Sequence, residues 1–187
     1  MKIQHKLSTN SEYISQLQRV GAKMAAVVPL PEKAWKFVVI DSGPVNAFVD
    51  QHLVCVHSGL FKITVDDAGL AVVLGHEMAH VVQREETRLR LGMCSKEYNK
   101  AVANIQANSK INPAKRHENE AEADRMGFLY MAKAGYDPHA AIQFWERAVS
   151  YSAAREHDSR THPDVSLRLK TMKAYLPAAI TEYRKYV

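Results

Sequence analysis

The sequence predicts an α+β fold dominated by helix. Three observations carry that expectation. The β-rich runs are confined to residues 35–57, helical periodicity lies on both sides of them, and the 187-residue chain is 47% hydrophobic and 24% charged, an ordinary globular balance. A chain of this length buries roughly two-thirds of its unfolded surface and needs no disulfides to fold. Residues 1–10 read as a polar arm and residues 11–187 as a single domain.

The elements follow in order. Ile14, Leu17, Val20, Met24 and Val28 recur at steps of three and four, one face of a helix over residues 11–28 that Asn10 or Ser11 can cap and Pro29 ends. Residues 35–40 form a β-rich run closed by the turn Asp41-Ser42-Gly43-Pro44. Residues 53–57 form a second, broken by Ser58-Gly59, and the two make a small sheet. Beyond Asp66, a cap, everything reads as helix. One helix runs through Leu70, Val73, Leu74, Val81 and Val82 to about Leu91, and Gly92 stops it. A polar helix covers residues 95–108. Pro113 opens another through Met131 that closes at Gly135. Asp137-Pro138 starts a helix carrying Ile142, Phe144, Trp145 and Val149. Pro163-Asp164 starts the next, with Leu167, Leu169 and Met172, and Pro177 opens a last short one.

The net charge is +5 and the pI about 9.2. The basic residues are scattered among polar and acidic ones, with no recognition helix or aromatic stacking platform, so no nucleic-acid partner is expected. No apolar run reaches the roughly 18 residues a membrane span needs. Met1-Lys2-Ile3-Gln4-His5-Lys6 lacks the apolar core of a signal peptide, so the chain is expected to act where it is made or to be a mature or truncated form. Cys55 and Cys94 match no metal-ribbon or redox spacing, and two free thiols are expected.

The chemistry is carried by His76-Glu77-Met78-Ala79-His80, which fits His-Glu-x-x-His within a helix. Residues four apart share a helical face, so His76 and His80 can aim two imidazoles at one zinc ion. Glu77 projects beside that position and can hold a water. The flanks Ala71-Val72-Val73-Leu74 and Val81-Val82 are apolar, and a buried helix rarely carries two histidines and a glutamate without a partner for them.

A catalytic zinc needs a third protein ligand and an open fourth position. The acidic stretch after His117 offers three glutamates. Glu120, Asp124, Phe128 and Met131 form one inward stripe, whereas Glu118, Glu122 and Arg125 share another side, where Arg125 can pair with an acid. Glu120 is therefore the third ligand, with His117 the alternative, and Asp124 can accept a hydrogen bond from the far nitrogen of a liganding histidine. His162, just before Pro163, can point into a cleft, donate to an oxyanion or occupy the open metal position. Arg168 can stabilise the same charge.

Taken together, Gly75-His76-Glu77-Met78-Ala79-His80, Glu120-Ala121-Glu122-Ala123-Asp124-Arg125-Met126-Gly127, Ala134-Gly135-Tyr136-Asp137-Pro138, Thr161-His162-Pro163 with Arg168, and Val45-Asn46-Ala47-Phe48 resemble a known family. It is the gluzincin-type zinc metallopeptidases that include the CAAX prenyl proteases, the bacterial heat-shock membrane protease, periplasmic assembly peptidases and the mitochondrial inner-membrane stress metalloendopeptidase. The match runs over residues 35–176 and is closest in feel to the mitochondrial and periplasmic branch. The chain departs from that family in having Val49-Asp50-Gln51-His52 where a glycine-rich turn usually follows.

The resemblance implies a zincin-like fold with the small sheet packed on the metal-binding helix and one Zn2+ per chain. It implies ligands His76, His80 and Glu120, catalytic residues Glu77, His162 and Arg168, and Asp124 behind the ligands. The implied activity is endopeptidase cleavage of protein or peptide substrates, misfolded or membrane-associated, in quality control. The implied place is the mitochondrial inner membrane or the bacterial periplasm. Leu53, Val54, Cys55 and Val56 are the expected edge strand to which substrate adds as a further β-strand. The competing expectation is a zinc-stabilised peptide-binding chaperone or pseudoenzyme that cuts nothing.

Overall fold

The structure, a computed structural model, describes residues 6–30, 35–107, 113–153 and 165–187. Helix α1 (Ser11–Ala25) is capped by Asn10, whose side chain accepts from the Tyr13 amide at 3.0 Å. It buries Leu17, Val20 and Met24, the periodic residues of its apolar face. Its Gly21 lies so close to Phe37 that an added Cβ would stand 2.7 Å from the ring. That closeness seats the helix on the sheet.

The sheet has three strands, β1 (Lys36–Ile40), β2 (Ala47–Asp50) and β3 (Leu53–His57), in the order β1-β3-β2. β1 runs parallel to β3, and β2 antiparallel, with Val38 and Phe48 both opposite Cys55. This corrects one expectation. Leu53, Val54, Cys55 and Val56 are not an edge: β3 is the central strand, with a neighbour on each side. Its run is apolar on both faces, as a central strand requires, and Val54 and Val56 are fully buried. The outer strand on the other side of β3 is β2, a four-residue strand too short to declare itself by alternation. Gln51 makes the β2–β3 turn at φ 53, a conformation that glycine adopts without cost. Along β1, residues 6–8 of the polar arm pair with the strand: Leu7 bridges Ile40, and the Ser8 amide donates to the Val39 carbonyl at 2.8 Å.

After β3 a 3-10 turn (Ser58–Leu60) and the short helix α2 (Phe61–Thr64), neither legible in the sequence, lead into α3 (Asp67–Arg90). Asp66 caps α3, accepting from the Gly69 amide at 2.7 Å. α4 (Ser95–Ala107), α5 (Pro113–Lys133), α6 (His139–Ala153) and α7 (Val165–Tyr183) complete the chain. Gly135 closes α5 with φ 77, and Asp137 accepts from the His139 amide at 2.9 Å as α6 begins. Pro177 does not open a separate helix; it sits inside α7. Met172 and Ala179, buried on either side of it, hold the helix in the core, and tertiary packing overrides the local break.

α3 is the central element. The sheet and α1 pack on one side of it, α5 and α6 on others. Its middle is buried nearly all round, through Leu70, Leu74, Met78 and Val82. Where α3 crosses α5, glycine meets glycine: a Cβ on Gly75 would lie 2.6 Å from the Gly127 carbonyl oxygen. Both cysteines are free, Cys55 buried and Cys94 exposed.

Candidate metal centre

The Gly75–Gly127 crossing brings the two motif-bearing helices together at the level of His76. His76 and His80 come from α3 and Glu120 from the first half of α5. Their donor atoms converge. The Nε2 atoms of His76 and His80 are 3.1 Å apart, His76 Nε2 is 3.5 Å from Glu120 Oε2, and His80 Nε2 is 3.6 Å from Glu120 Oε1. Two ligands each about 2.0–2.1 Å from a tetrahedral zinc ion are about 3.3–3.4 Å apart, so the three spacings fit one face of that tetrahedron. Among the described residues this trio is the group able to hold a metal ion. A His2Glu set is a catalytic zinc set, whereas structural sites are closed by four protein ligands.

Behind the donors stands a buried polar network. His76 Nδ1 donates to Asp124 Oδ1 at 2.8 Å, which leaves Nε2 as the nitrogen facing the site. Asp124 in turn receives Arg168 through two bonds, Nε to Oδ2 at 2.8 Å and Nη2 to Oδ1 at 2.5 Å. The guanidinium lies 4.0 Å over the Trp145 ring. His80 Nδ1 faces Gln83 Oε1 at 3.3 Å, and Gln83 Nε2 donates to the Asn119 carbonyl at 3.1 Å, tying α3 to the residue before Glu120.

The electrostatics follow from this packing. Burial alone would raise the Asp124 carboxyl, but the charge and bonds of Arg168, helped by His76, hold it down at about 2. Burial and then Arg168 push His76 down, yet the bonds to Asp124 and Glu120 outweigh both and raise it to about 9. Burial, followed by the neighbouring His76, lowers His80 to about 4.

The structure thus brings His76, His80, Glu120 and Asp124 together, with Glu77 buried next to His76. From sequence, Arg168 is expected at a developing oxyanion. Its guanidinium is bound to Asp124 and stacked on Trp145, with Nη2 3.0 Å from His76 Nδ1. His117 is exposed and takes no part. His162 lies outside the described residues. Glu122 and Arg125 pair on the outer side of α5 at 2.6 Å. Gln83 and Trp145 were not legible as site residues. The signal for Gln83 was its position three residues past His80, one turn along the same face.

The sequence profile of peptidase family M48 matches residues 12–95 and 92–176. The chain belongs to peptidase family M48. The matched segments hold both halves of the site, His76 and His80 in one, Glu120 and Asp124 in the other. Among M48 relatives, the mitochondrial metalloendopeptidase OMA1 of Schizosaccharomyces pombe is 28% identical over 178 residues, 87% of this chain and 53% of that protein. The putative beta-barrel assembly-enhancing protease of Vibrio cholerae is 30% identical over 178 residues, 82% of this chain and 36% of that protein. The Escherichia coli beta-barrel assembly-enhancing protease is 26% identical over 184 residues, 85% of this chain and 37% of that protein. The chain therefore spans about half the length of the first relative and little more than a third of the other two. Among the described residues no helix is long and apolar enough to cross a membrane.

Proposed function

We propose that this M48 chain is a zinc-dependent endopeptidase that hydrolyses peptide bonds of protein substrates in protein quality control. The observation that carries the reading is the convergence of His76, His80 and Glu120 at tetrahedral spacing, with the buried carboxylate of Glu77 next to His76. His76, His80 and Glu120 would hold one Zn2+. When bound, that ion supplies Lewis-acid polarisation of the scissile carbonyl and a lowered pKa for water.

The chain's own residues do the rest. Glu77 takes a proton from the attacking water as its oxygen adds to the carbonyl carbon. Glu77 then passes that proton to the amine nitrogen as the C–N bond breaks, a role worth typically about 10²–10⁴-fold. Asp124, held by Arg168, keeps His76 in the tautomer and orientation that present Nε2. Gln83 does the same for His80. β2, the outer strand on the side of the sheet that packs against α3, is the strand to which an extended substrate adds. The similarity to a mitochondrial metalloendopeptidase and to beta-barrel assembly-enhancing proteases supports both the activity and the quality-control setting.

The test is casein cleavage with metal analysis on the same preparation. One zinc per chain is expected, with cleavage lost on chelation and restored by zinc. Glu77→Gln should keep the zinc and lose the cleavage. A parent protein that holds zinc and cuts no substrate would be the peptide-binding module instead.

A further inference from the structure

One cavity opens directly onto the metal centre. It has a volume of about 110 Å³, and His76, Glu77 and Arg168 are among its lining residues. Its walls are apolar: Leu60 and Ile63 from the segment before α3, Val73 from α3, and Phe144, Ala148 and Tyr151 from α6. Residues 45–47, at the entry to β2, line it too, so the cavity adjoins the strand along which an extended substrate would lie. We propose that this cavity is the specificity pocket of the site, that it takes one large apolar side chain flanking the scissile bond, and that Ala148 sets its depth. The proposal rests on the endopeptidase reading above and names the substrate class of that same site.

Size selects the occupant. An apolar cavity of about 150 Å³ holds a benzene ring. At about 110 Å³, and open at its mouth, this one admits a single isobutyl, thioether or phenyl group and not two. Charge selects as well. The side-chain cation that lines it, Arg168, is already bound through two bonds to Asp124, so an acidic side chain packed on the apolar walls would lose its water without gaining a free cationic side chain. Ala148 lies on the same face of α6 as Phe144 and Tyr151, four residues before it and three after. It is the one methyl among larger wall residues on that helix face, and any longer side chain there projects into the space.

The experiment is a set of peptides that differ at the two positions flanking the cleaved bond, carrying Leu, Met, Phe, Ala, Asp or Lys, with kcat/KM read for each. One methylene in such a pocket is worth about 10–200-fold, so at one of the two positions Leu or Phe should exceed Ala, Asp and Lys by at least about tenfold. Ala148→Leu should lower the Leu-to-Ala ratio at that same position by at least about tenfold. Val73→Ala, which enlarges the cavity from α3, should shift preference toward a bicyclic aromatic side chain. The same peptides are titrated calorimetrically into Glu77→Gln protein. If the parent cuts none of them, the endopeptidase reading fails, while a binding preference for Leu and Phe that Ala148→Leu removes still upholds the pocket. Equal handling of all six side chains at both positions, a preference unmoved in both variants, or no binding at all overturns it.

Discussion

Replacing Gly127 by alanine tests how the two halves of the metal centre are held together. An added Cβ would stand 2.6 Å from both the Gly75 carbonyl carbon and the His76 amide nitrogen, and 2.9 Å from the Gly75 oxygen. All three are backbone atoms that no rotamer change can move. Favourable carbon contacts lie at about 3.5–4.0 Å, so α3 and α5 must separate by about 1 Å at the crossing. Asp124 and Glu120 sit one and two turns before Gly127 on α5, and the same displacement reaches them. The 3.5 and 3.6 Å spacings from Glu120 to the imidazoles would open towards about 4.5 Å, beyond what one small ion bridges, given a tolerance of about 0.2 Å in each ligand distance. Overpacking of this kind costs about 1–3 kcal/mol, and disturbance of the shell behind a ligand about 10–100-fold in metal affinity. The assay is chemical denaturation together with competition against a chelating dye. Gly43→Ala, where no atom lies within 4 Å of the new Cβ, is the control and should change neither. A Gly127→Ala protein with parental stability and parental zinc affinity would refute the claim that the glycine crossing sets the ligand geometry.

Other outcomes follow from the buried network. Asp124→Asn leaves the Arg168 charge buried with its partner neutralised, which should cost about 3–5 kcal/mol in denaturant unfolding and lower zinc affinity about 10–100-fold. Asp124 is depressed from its ordinary 3.8 to about 2, so its contribution to stability is present above pH 4 and lost as the pH falls towards 2; acid titration of the parent should show that loss and the Asn variant should not. His76 is raised to about 9 in the metal-free protein, so its bonds stabilise that protein fully below about pH 6.5 and the contribution fades as the pH climbs through 9. Zinc must displace that proton, so its affinity should climb about tenfold per pH unit until near pH 9, and calorimetry in buffers of different ionisation enthalpy should register about one proton released at pH 7.5. Gln83→Ala should weaken zinc binding about tenfold with little change in the midpoint of unfolding, because Gln83 touches the site from a half-buried position at its edge.

What the sequence made legible was local. His76 and His80 needed only helical spacing, and Glu120 was separated from Glu118 and Glu122 by the stripe it shares with Phe128 and Met131. Those relations live within one helix and survive whatever the rest of the chain does. The long-range relations were harder. The Asp124–Arg168 bond spans 44 positions, and nothing in the local pattern says that the guanidinium binds Asp124 and stacks on Trp145. Leu53 to Val56 was legible as a strand but not as the central one, because the strand that covers its second edge, β2, is four residues long. Pro177 reads as a helix start by local rules, and only the burial of Met172 and Ala179 explains why the helix continues through it. The apolar pocket is assembled from α2, α3, α6 and the entry to β2, so no single stretch of sequence announces it.

The most direct test of the account is X-ray absorption at the zinc edge on protein loaded with one equivalent of metal. The account predicts four light-atom neighbours at about 2.0–2.1 Å, two of them with the outer-shell scattering of imidazole, and loss of stoichiometric binding in both His80→Ala and Glu120→Ala. A sulfur shell at about 2.3 Å, or zinc held undiminished by either variant, would contradict it.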